Sequence, residues 1–553
     1  LLPFGFRHNK IYQRIFTIIF IGTNVVGLFA NVADIPYYAF TLKRTTSIVF
    51  TQFANETNLG ELFMAFVVDY WYATLIFVAL SAFLIWLTLK TSLTERKIKN
   101  SYVYVSSGMV MIVVFGWLIW GGLRGGFRHS TRPITLSNAG EYVSEPSQTA
   151  IVLNTPFAII RTLGKSALPR INYFDDKTLV ATFNPEHYPK PVGTFKNKNV
   201  VIFILESYSK EFVSSLNGNS GIKNYQGYTP FLDSLIGQSL GFKFAFANGK
   251  KSIEALPSVL ASIPGMDVPY VLSHYSTNNI NSIFSLLKQK GYQTGFFHGA
   301  PNGSMGFDAF VKMAGVDKYY GKDEYANDVD FDGMWGIWDE PFFQYFAQQM
   351  ATMKQPFCTS LFSVSSHHPF AIPPGYEGKF KKGPKPIHQC INYTDFALRN
   401  FFKTARKMPW FQNTIFVITA DHATFPCYDE CKNNADYFAI PLVIYAPDGS
   451  LRGMDSTTVA QQIDIMPTLL SLLNYDYPYL AFGKNLLEKN NTNFAINYLN
   501  DNYQVFMDSL MLETDGKKIN GVFNYMNDKI LKYPLNNSCP KGLNFTRAFI
   551  QQY

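Results

Sequence analysis

Ser252 stands at an unusual junction. In "ANGKKSIEALPSVLAS", residues 247–262, it follows Lys250 and Lys251 and opens an apolar, small-residue run with helical character. A hydroxyl there can cap the helix. It can also be a nucleophile held where backbone N–H groups gather negative charge. Other stretches supply side chains that would suit the second role. "KNVVIFILES" is a short apolar run rich in β-branched residues that ends on Glu206. "NTIFVITADHATF", residues 413–425, repeats that design and delivers Asp421 and His422. "YQTGFFHGA" delivers His298, and "PFCTSLFSVSSHHPF" delivers His367 and His368. A single acid at a strand end is commonly solvated or a cap, and a single histidine commonly packs. Several such tips together form the constellation of a metal-dependent active site.

The elements that must position these residues can be read from the same pattern. The apolar runs are buried parallel strands. "SIFSLLKQKG", "PFFQYFAQQM" and "YTDFALRNFFKTARK" are helices between them. Strands alternating with helices predict an open α/β sheet, whose sites form at the carboxyl ends of the strands.

"VIFILES", the Lys-Ser helix start, "SSHHPF", "ITADH" and the later "QQIDIMPTLLSLL" resemble the alkaline phosphatase/sulfatase superfamily over about 200–470. More closely they resemble the lipoteichoic acid synthase-like phosphoglycerol transferases, and within these the sulfatase-domain proteins of Gram-negative bacteria. The resemblance implies a transmembrane helical bundle followed by an external α/β sulfatase/alkaline-phosphatase-like domain. It also implies that Glu206, Ser252, Asp421 and His422 bind one divalent cation, Mn2+ first, with Mg2+ or Zn2+ as alternatives. Two carboxylates neutralise such a cation, an imidazole favours Mn or Zn over Ca, and a coordinated serine hydroxyl becomes an alkoxide near neutral pH. Ser252 is then the nucleophile, with His367 and His298 binding phosphate oxygens or protonating the leaving alkoxide. Lys250 and Lys251 add positive field. Trp335 and Trp338 of "MWGIWDEPFF" wall the pocket or pack in the core, and Asp339 lines the pocket or caps the next helix.

Departures narrow the expectation. Lipoteichoic acid synthases carry Trp and Arg shortly after the histidine matched to His298, where this chain has Met305 and Phe307. Their nucleophile is usually Thr. A sulfatase proper needs C/S-x-P-x-R, and "SIEALP" has neither Pro nor Arg at those offsets.

The rest of the chain supplies the anchor. Of 553 residues only 16% are charged, well below the roughly 25% usual in soluble domains. Apolar segments at about 15–40, 62–89 and 103–123 each reach the roughly 20 residues that cross a bilayer. "RHNKIYQR" and "KTSLTERKIKN" place the first start and the 90–100 loop in the cytoplasm, and everything after Arg124 outside. "LKRTT" at 42–46 is basic but external in this scheme, and the sequence from there to Gly60 reads as an interfacial segment. "LLPFGF" reads as the tail of an apolar segment, so further upstream spans are expected, family members commonly having five. The net charge of +8 follows these basic clusters, and no zinc-finger spacing or RNA-binding signature points to nucleic acid.

The expected organisation is a transmembrane domain at 1–123, a linker at 124–197, a catalytic α/β domain at 198–485 and a β-rich C-terminal subdomain at 486–553. All five cysteines lie in the external half, with Cys427 and Cys431 spaced as a bridge beside the site; a C-x-x-x-C metal pair is the alternative but lacks a second pair, and the odd count leaves at least one thiol unpaired. The expected function is transfer of a phosphoglycerol- or phosphoethanolamine-type headgroup. The donor is a phospholipid, the acceptor an envelope glycan or lipid, and the route a phospho-Ser252 intermediate. The expected location is the bacterial inner membrane with the catalytic domain outside. A phosphodiesterase or phosphatase with water as acceptor is the alternative, and a non-catalytic envelope scaffold is the reading from a different class.

Overall fold

In the computed structural model the described residues are 9–41, 44–47, 49–50, 64, 67–91, 100–127, 134–143, 148–164, 171–217, 222, 225–266, 268–488, 493–528, 531, 534–535 and 539–553. The chain divides into two compact units, Leu1–Leu168 with Ser273–Asn278, and Pro169–Leu272 with Asn279–Tyr553.

The first unit carries three long helices: α1 (Lys10–Thr41), α2 (Trp71–Lys90) and α3 (Ser101–Arg124). Each is long and apolar enough to cross a membrane. Their large apolar side chains face outward, with Ile18, Leu75, Leu89, Val113 and Ile119 all exposed. That inverts the rule of a water-soluble core and suits hydrocarbon as solvent. Asn100 caps α3 by accepting from Tyr102 N and Val103 N, and Gly125 ends it in the left-handed region at φ +82. Arg44, part of the basic "LKRTT" stretch, is neutralised by a 2.6 Å ion pair to the buried Asp34 of α1. Residues 62, 63, 65 and 66 of the expected second span, 92–99 of the expected cytoplasmic loop and 51–60 of the expected interfacial segment lie outside the described residues.

The second unit is built on one eight-stranded sheet. Its strands are β1 (Asn199–Leu205), β2 (Leu240–Phe246), β3 (Gln293–His298), β4 (Lys318–Tyr320), β5 (Phe357–Phe362), β6 (Thr414–Ala420), β7 (Leu442–Tyr445) and β8 (Gly453–Gln461). The spatial order is β4-β3-β5-β1-β6-β7-β2-β8. All pairs are parallel except those made by β7, which runs antiparallel to both neighbours. β1, β5 and β6 are buried along their whole length, as their unbroken apolar sequences require. Helices α4 (Ser252–Ala261), α5 (Asp339–Thr352), α6 (Ile387–Ala405) and α7 (Ile465–Leu472) follow four of these strands. On one face an aromatic cluster around Phe203, Phe346, Phe401 and Phe402 joins the sheet to α5 and α6.

The C-terminal part is a four-stranded antiparallel meander, β9 (Phe494–Leu499), β10 (Asn502–Met507), β11 (Leu510–Thr514) and β12 (Ile519–Asn524). It carries a helix the sequence reading does not contain, α8 (Pro540–Gln552). Residues 171–183, expected in the linker, pack on that helix. Phe183 meets Phe545 and Phe549, and Gln551 Oε1 accepts from Tyr173 N and Phe174 N.

Candidate active site

The parallel register sets the first two groups. Leu205 of β1 pairs with Ala420 of β6, so Glu206 and Asp421 leave adjacent strands at the same level. Ser207 then fastens them together. Its N–H donates to Asp421 Oδ1 at 2.7 Å and its Oγ to Glu206 Oε1 at 2.7 Å. To do so it takes φ +57, a conformation that costs a non-glycine residue about 1 kcal/mol or more. His422 N also donates to Asp421 Oδ1, at 2.6 Å. Its Nε2 lies 3.3 Å from Asp421 Oδ2 and 3.7 Å from Glu206 Oε1.

Ser252 arrives from β2 at the start of α4. Lys251 is the N-cap residue and Ser252 the first helical one, so Ser252 is not the cap. Glu254 serves that end instead, its Oε2 accepting from Lys250 N at 2.7 Å and Lys251 N at 3.1 Å. Gly249 makes this possible, because a Cβ there would sit 2.6 Å from Glu254 Cβ. Freed from capping, Ser252 Oγ donates to Glu206 Oε2 at 3.1 Å. Gln462 binds the serine loop to the acid strand. It accepts from Asn248 N and donates to the carbonyls of Ala420 and Asp421.

His367 approaches from the loop after β5, with Nε2 3.3 Å from Glu206 Oε2. Its ring stacks on Trp335 at 4.3 Å between centroids and 16° between planes, and Trp335 Nε1 donates to His368 O. Asp339 anchors that loop. It is 1% exposed, and its Oδ1 accepts from Val364 N at 2.9 Å and Ser365 N at 3.3 Å. Thr394 Oγ1 takes up Asp339 Oδ2 at 2.6 Å, which turns the carboxylate into the loop and away from any ligand. Ser363 and Ser366 complete the anchor by bonding Glu206 N and Glu206 O.

Electrostatics separate the two sides. Burial, with Glu206 next to it, pushes the Asp421 carboxyl up to about 7. Burial works against the His422 cation, but the Asp421 and Glu206 carboxylates outweigh it and raise the imidazole above its ordinary range. Burial holds His367 and His298 down at about 4, so both are neutral at neutral pH. His298 is buried at the end of β3. Its Nδ1 lies 3.3 Å from Phe362 O, and its Nε2 makes no hydrogen bond. Phe307 lies 5.1 Å from the His298 ring.

The structure thus brings Glu206, Ser252, His367, Asp421 and His422 into one cluster. Lys250 is part-buried and turned away, its Nζ bonded to Tyr437 O at 2.6 Å, and burial lowers it to about 8. Lys251 and His368 are exposed, and Trp338 is buried against Tyr393. Cys427 and Cys431 are both free thiols in the structure, so the bridge expected from their spacing is not formed. Ser207, Gln462 and the serines of "SVSS" are contributors that the sequence reading does not contain. The one available signal for Ser207 was its place directly after the strand-end acid.

The cluster suits a divalent cation. Asp421 Oδ2 is buried and accepts no hydrogen bond. Glu206, Asp421 and His422 each present a ligand atom, all within 4.8 Å of one another. Two carboxylates, an imidazole and an adjacent hydroxyl are a donor set for Mn, Mg or Zn.

Sheet order and site together define an alkaline phosphatase-like α/β protein. A protein of the alkaline phosphatase superfamily from Vibrio parahaemolyticus shares the fold, with TM-score 0.58 and 24% identity over 68% of this chain and 94% of its own. So does the lipoteichoic acid synthase of Listeria monocytogenes, with TM-score 0.55 and 23% identity over 65% and 91%. The Sulfatase family model matches residues 198–475, and the chain belongs to that family. Among relatives, lipoteichoic acid synthase 1 of Bacillus subtilis is 29% identical over 349 residues, 57% of this chain and 52% of that protein. The chain therefore spans about half the length of that relative. Lipoteichoic acid synthase of Staphylococcus aureus is 24% identical over 558 residues, 94% of this chain and 81% of that protein.

Proposed function

We propose that the protein is a membrane-anchored, metal-dependent phosphotransferase that moves a phospho-headgroup from a phospholipid to an envelope glycan or lipid. The observation that carries this reading is Ser252 Oγ, a helix-start hydroxyl released from capping and hydrogen-bonded to Glu206 inside the carboxylate–imidazole cluster. Similarity to lipoteichoic acid synthases supports transfer, and the Staphylococcus aureus match extends beyond the catalytic unit into the apolar helices. Those helices would anchor the chain in a bacterial inner membrane with the catalytic unit outside, which raises the effective concentration of a lipid donor.

Glu206, Asp421, His422 and Ser252 would hold the cation. Bound there, it would supply the positive charge that makes Ser252 a better nucleophile and offsets phosphoryl charge. Ser252 Oγ, its proton given up to solvent, would form the new bond to phosphorus as the bond from phosphorus to the lipid alcohol breaks, and the leaving alkoxide would take a proton from solvent. His367 Nε2 lies 3.3 Å from Glu206 Oε2 and would be in reach of a phosphoryl oxygen bound at the cation. His298, neutral at neutral pH, would be a second imidazole for the same oxygens. An acceptor hydroxyl then attacks phospho-Ser252 and regenerates the serine. The absence of C/S-x-P-x-R around Ser252 speaks against sulfate-ester chemistry through formylglycine.

Headgroup-labelled phosphatidylglycerol and phosphatidylethanolamine, given with Mn2+ and an envelope extract, test the reading. Label appearing on a larger glycan or lipid, with diacylglycerol released, is the expected outcome. Label appearing only as free glycerol phosphate or phosphoethanolamine would show a hydrolase.

A further inference from the structure

A buried group of amides ties the serine loop to the C-terminal meander. β2 and β8 run in parallel register as far as Phe246 opposite Gln461. Past that point Asn248 carries the pairing on with its own side chain. Its N–H donates to Gln462 Oε1 at 2.9 Å, and its Oδ1 accepts from Ile463 N at 3.1 Å. Its Nδ2 donates to Gln461 Oε1 at 2.7 Å and to Ile496 O of β9 at 2.9 Å. Gln461 Oε1 accepts in turn from Ile496 N at 3.0 Å. Asn248, Gln461 and Gln462 are all fully buried. Breaking any of these bonds would leave a polar group unsatisfied away from water, so the group holds as a unit.

Little slack separates Asn248 from Ser252. Lys250 N and Lys251 N, between the two, are both held by Glu254. A Cβ on Gly265 would come within 2.8 Å of Asn248 O, so glycine is required where that segment passes. On the other side Gln462 Nε2 donates to Ala420 O and Asp421 O, both at 2.7 Å. The amides thus run from the loop before Ser252 to the end of the acid strand. The direct link between the two is the 3.1 Å bond from Ser252 Oγ to Glu206 Oε2. That bond is given up when the same oxygen attacks phosphorus, so it cannot hold the serine at that moment. The bonds of Asn248 remain.

We propose that Asn248 is a positioning residue for Ser252, and that through it the C-terminal meander sets where the nucleophile stands relative to the strand-end acids. The proposal rests on the reading of Ser252 as nucleophile given above. Fully buried, Asn248 acts through the loop and not on the substrate. The meander thereby belongs to the catalytic apparatus, because β9 supplies both a donor and an acceptor to the amide group.

The test uses the whole protein in detergent with Mn2+ and headgroup-labelled phosphatidylglycerol or phosphatidylethanolamine, without acceptor. Phosphorylation of Ser252 is followed in a single turnover by mass spectrometry, and its rate and amplitude are read separately. Asn248→Ala keeps the backbone N–H and removes the three side-chain bonds. The rate should fall about 10- to 100-fold, as expected of a reacting group displaced by about 1 Å. The amplitude and the Mn2+-induced rise in melting temperature should stay at their wild-type values. An unchanged rate, whether at full or at reduced amplitude, overturns the proposal, since reduced amplitude alone reports lost folded protein. Gln461→Met keeps the length of the side chain and removes the oxygen shared by Asn248 and β9. It should slow the same step by a smaller factor, and it tests the proposal even where Asn248→Ala does not fold. An unchanged rate in Gln461→Met overturns the part given to the meander. Absence of phospho-Ser252 in the wild type would overturn the nucleophile reading itself and the positioning with it, whereas normal phosphorylation in Asn248→Ala overturns the positioning alone.

Discussion

The two sides of the candidate active site are held in different ways. Glu206 and Asp421 extend two neighbouring parallel strands whose register fixes them, and Ser207 and His422 donate backbone N–H groups to one of the acids. His367 sits five residues beyond the end of its strand, on a loop that has no ladder to hold it. Its position depends on Asp339, on Ser363 and Ser366, and on the Trp335 ring. The acid side is placed by sheet geometry and the histidine side by a network of side chains. The first should tolerate no chemical change, and the second should degrade by steps.

Asp421→Asn attacks the acid side and should have the larger effect. The amide keeps an oxygen for the two backbone donors, but it removes the charge from the atom that has no hydrogen-bond partner. Turnover should fall to background, and Mn2+ should no longer raise the melting temperature. Without metal the variant should be more stable than the wild type by roughly 1–3 kcal/mol, since the amide can donate to Glu206 where a bare buried oxygen stood. Differential scanning calorimetry with and without Mn2+ reads both effects. A retained Mn2+ shift would mean that the strand-end acid is not a ligand.

Trp335→Ala attacks the histidine side and should cost less. The imidazole loses its stacking partner and His368 O loses a donor, while the Asp339 anchor remains. Turnover should fall about 10- to 100-fold, the range expected for misplacement of a catalytic group without its removal. The Mn2+-induced rise in melting temperature should stay at its wild-type value. If the metal shift disappears too, the two sides are one unit and the contrast drawn above fails.

The same contrast explains what could be read from the sequence. "VIFILES" and "ITADH" each announce a buried strand and the acid at its tip, so the acid side was legible residue by residue. The Ser252 junction was legible as a helix start, but not that Lys251 would occupy the N-cap and Glu254 take over the capping bonds. Asp339 looked like a pocket or cap residue because its partners, Val364, Ser365 and Thr394, are remote in sequence. Gln462 was invisible for the same reason, since it joins Asn248 to the Asp421 strand. The three membrane-type helices declared themselves by length and apolarity alone. The C-terminal helix did not, because "PKGLNFTRAFIQQ" has a modest apolar stripe and begins next to turn-like residues.

The central claim is that Ser252 is a nucleophile, and Ser252→Ala tests it most directly. The substitution removes the attacking oxygen and leaves Glu206, Asp421 and His422 in place. Turnover of lipid donor and Mn2+-dependent melting temperature should be measured on the same preparation. Turnover at background with the Mn2+ shift retained is the predicted result, because no remaining group forms the covalent intermediate. A folded, metal-responsive Ser252→Ala protein with near-normal turnover would contradict it and transfer the nucleophilic role to water.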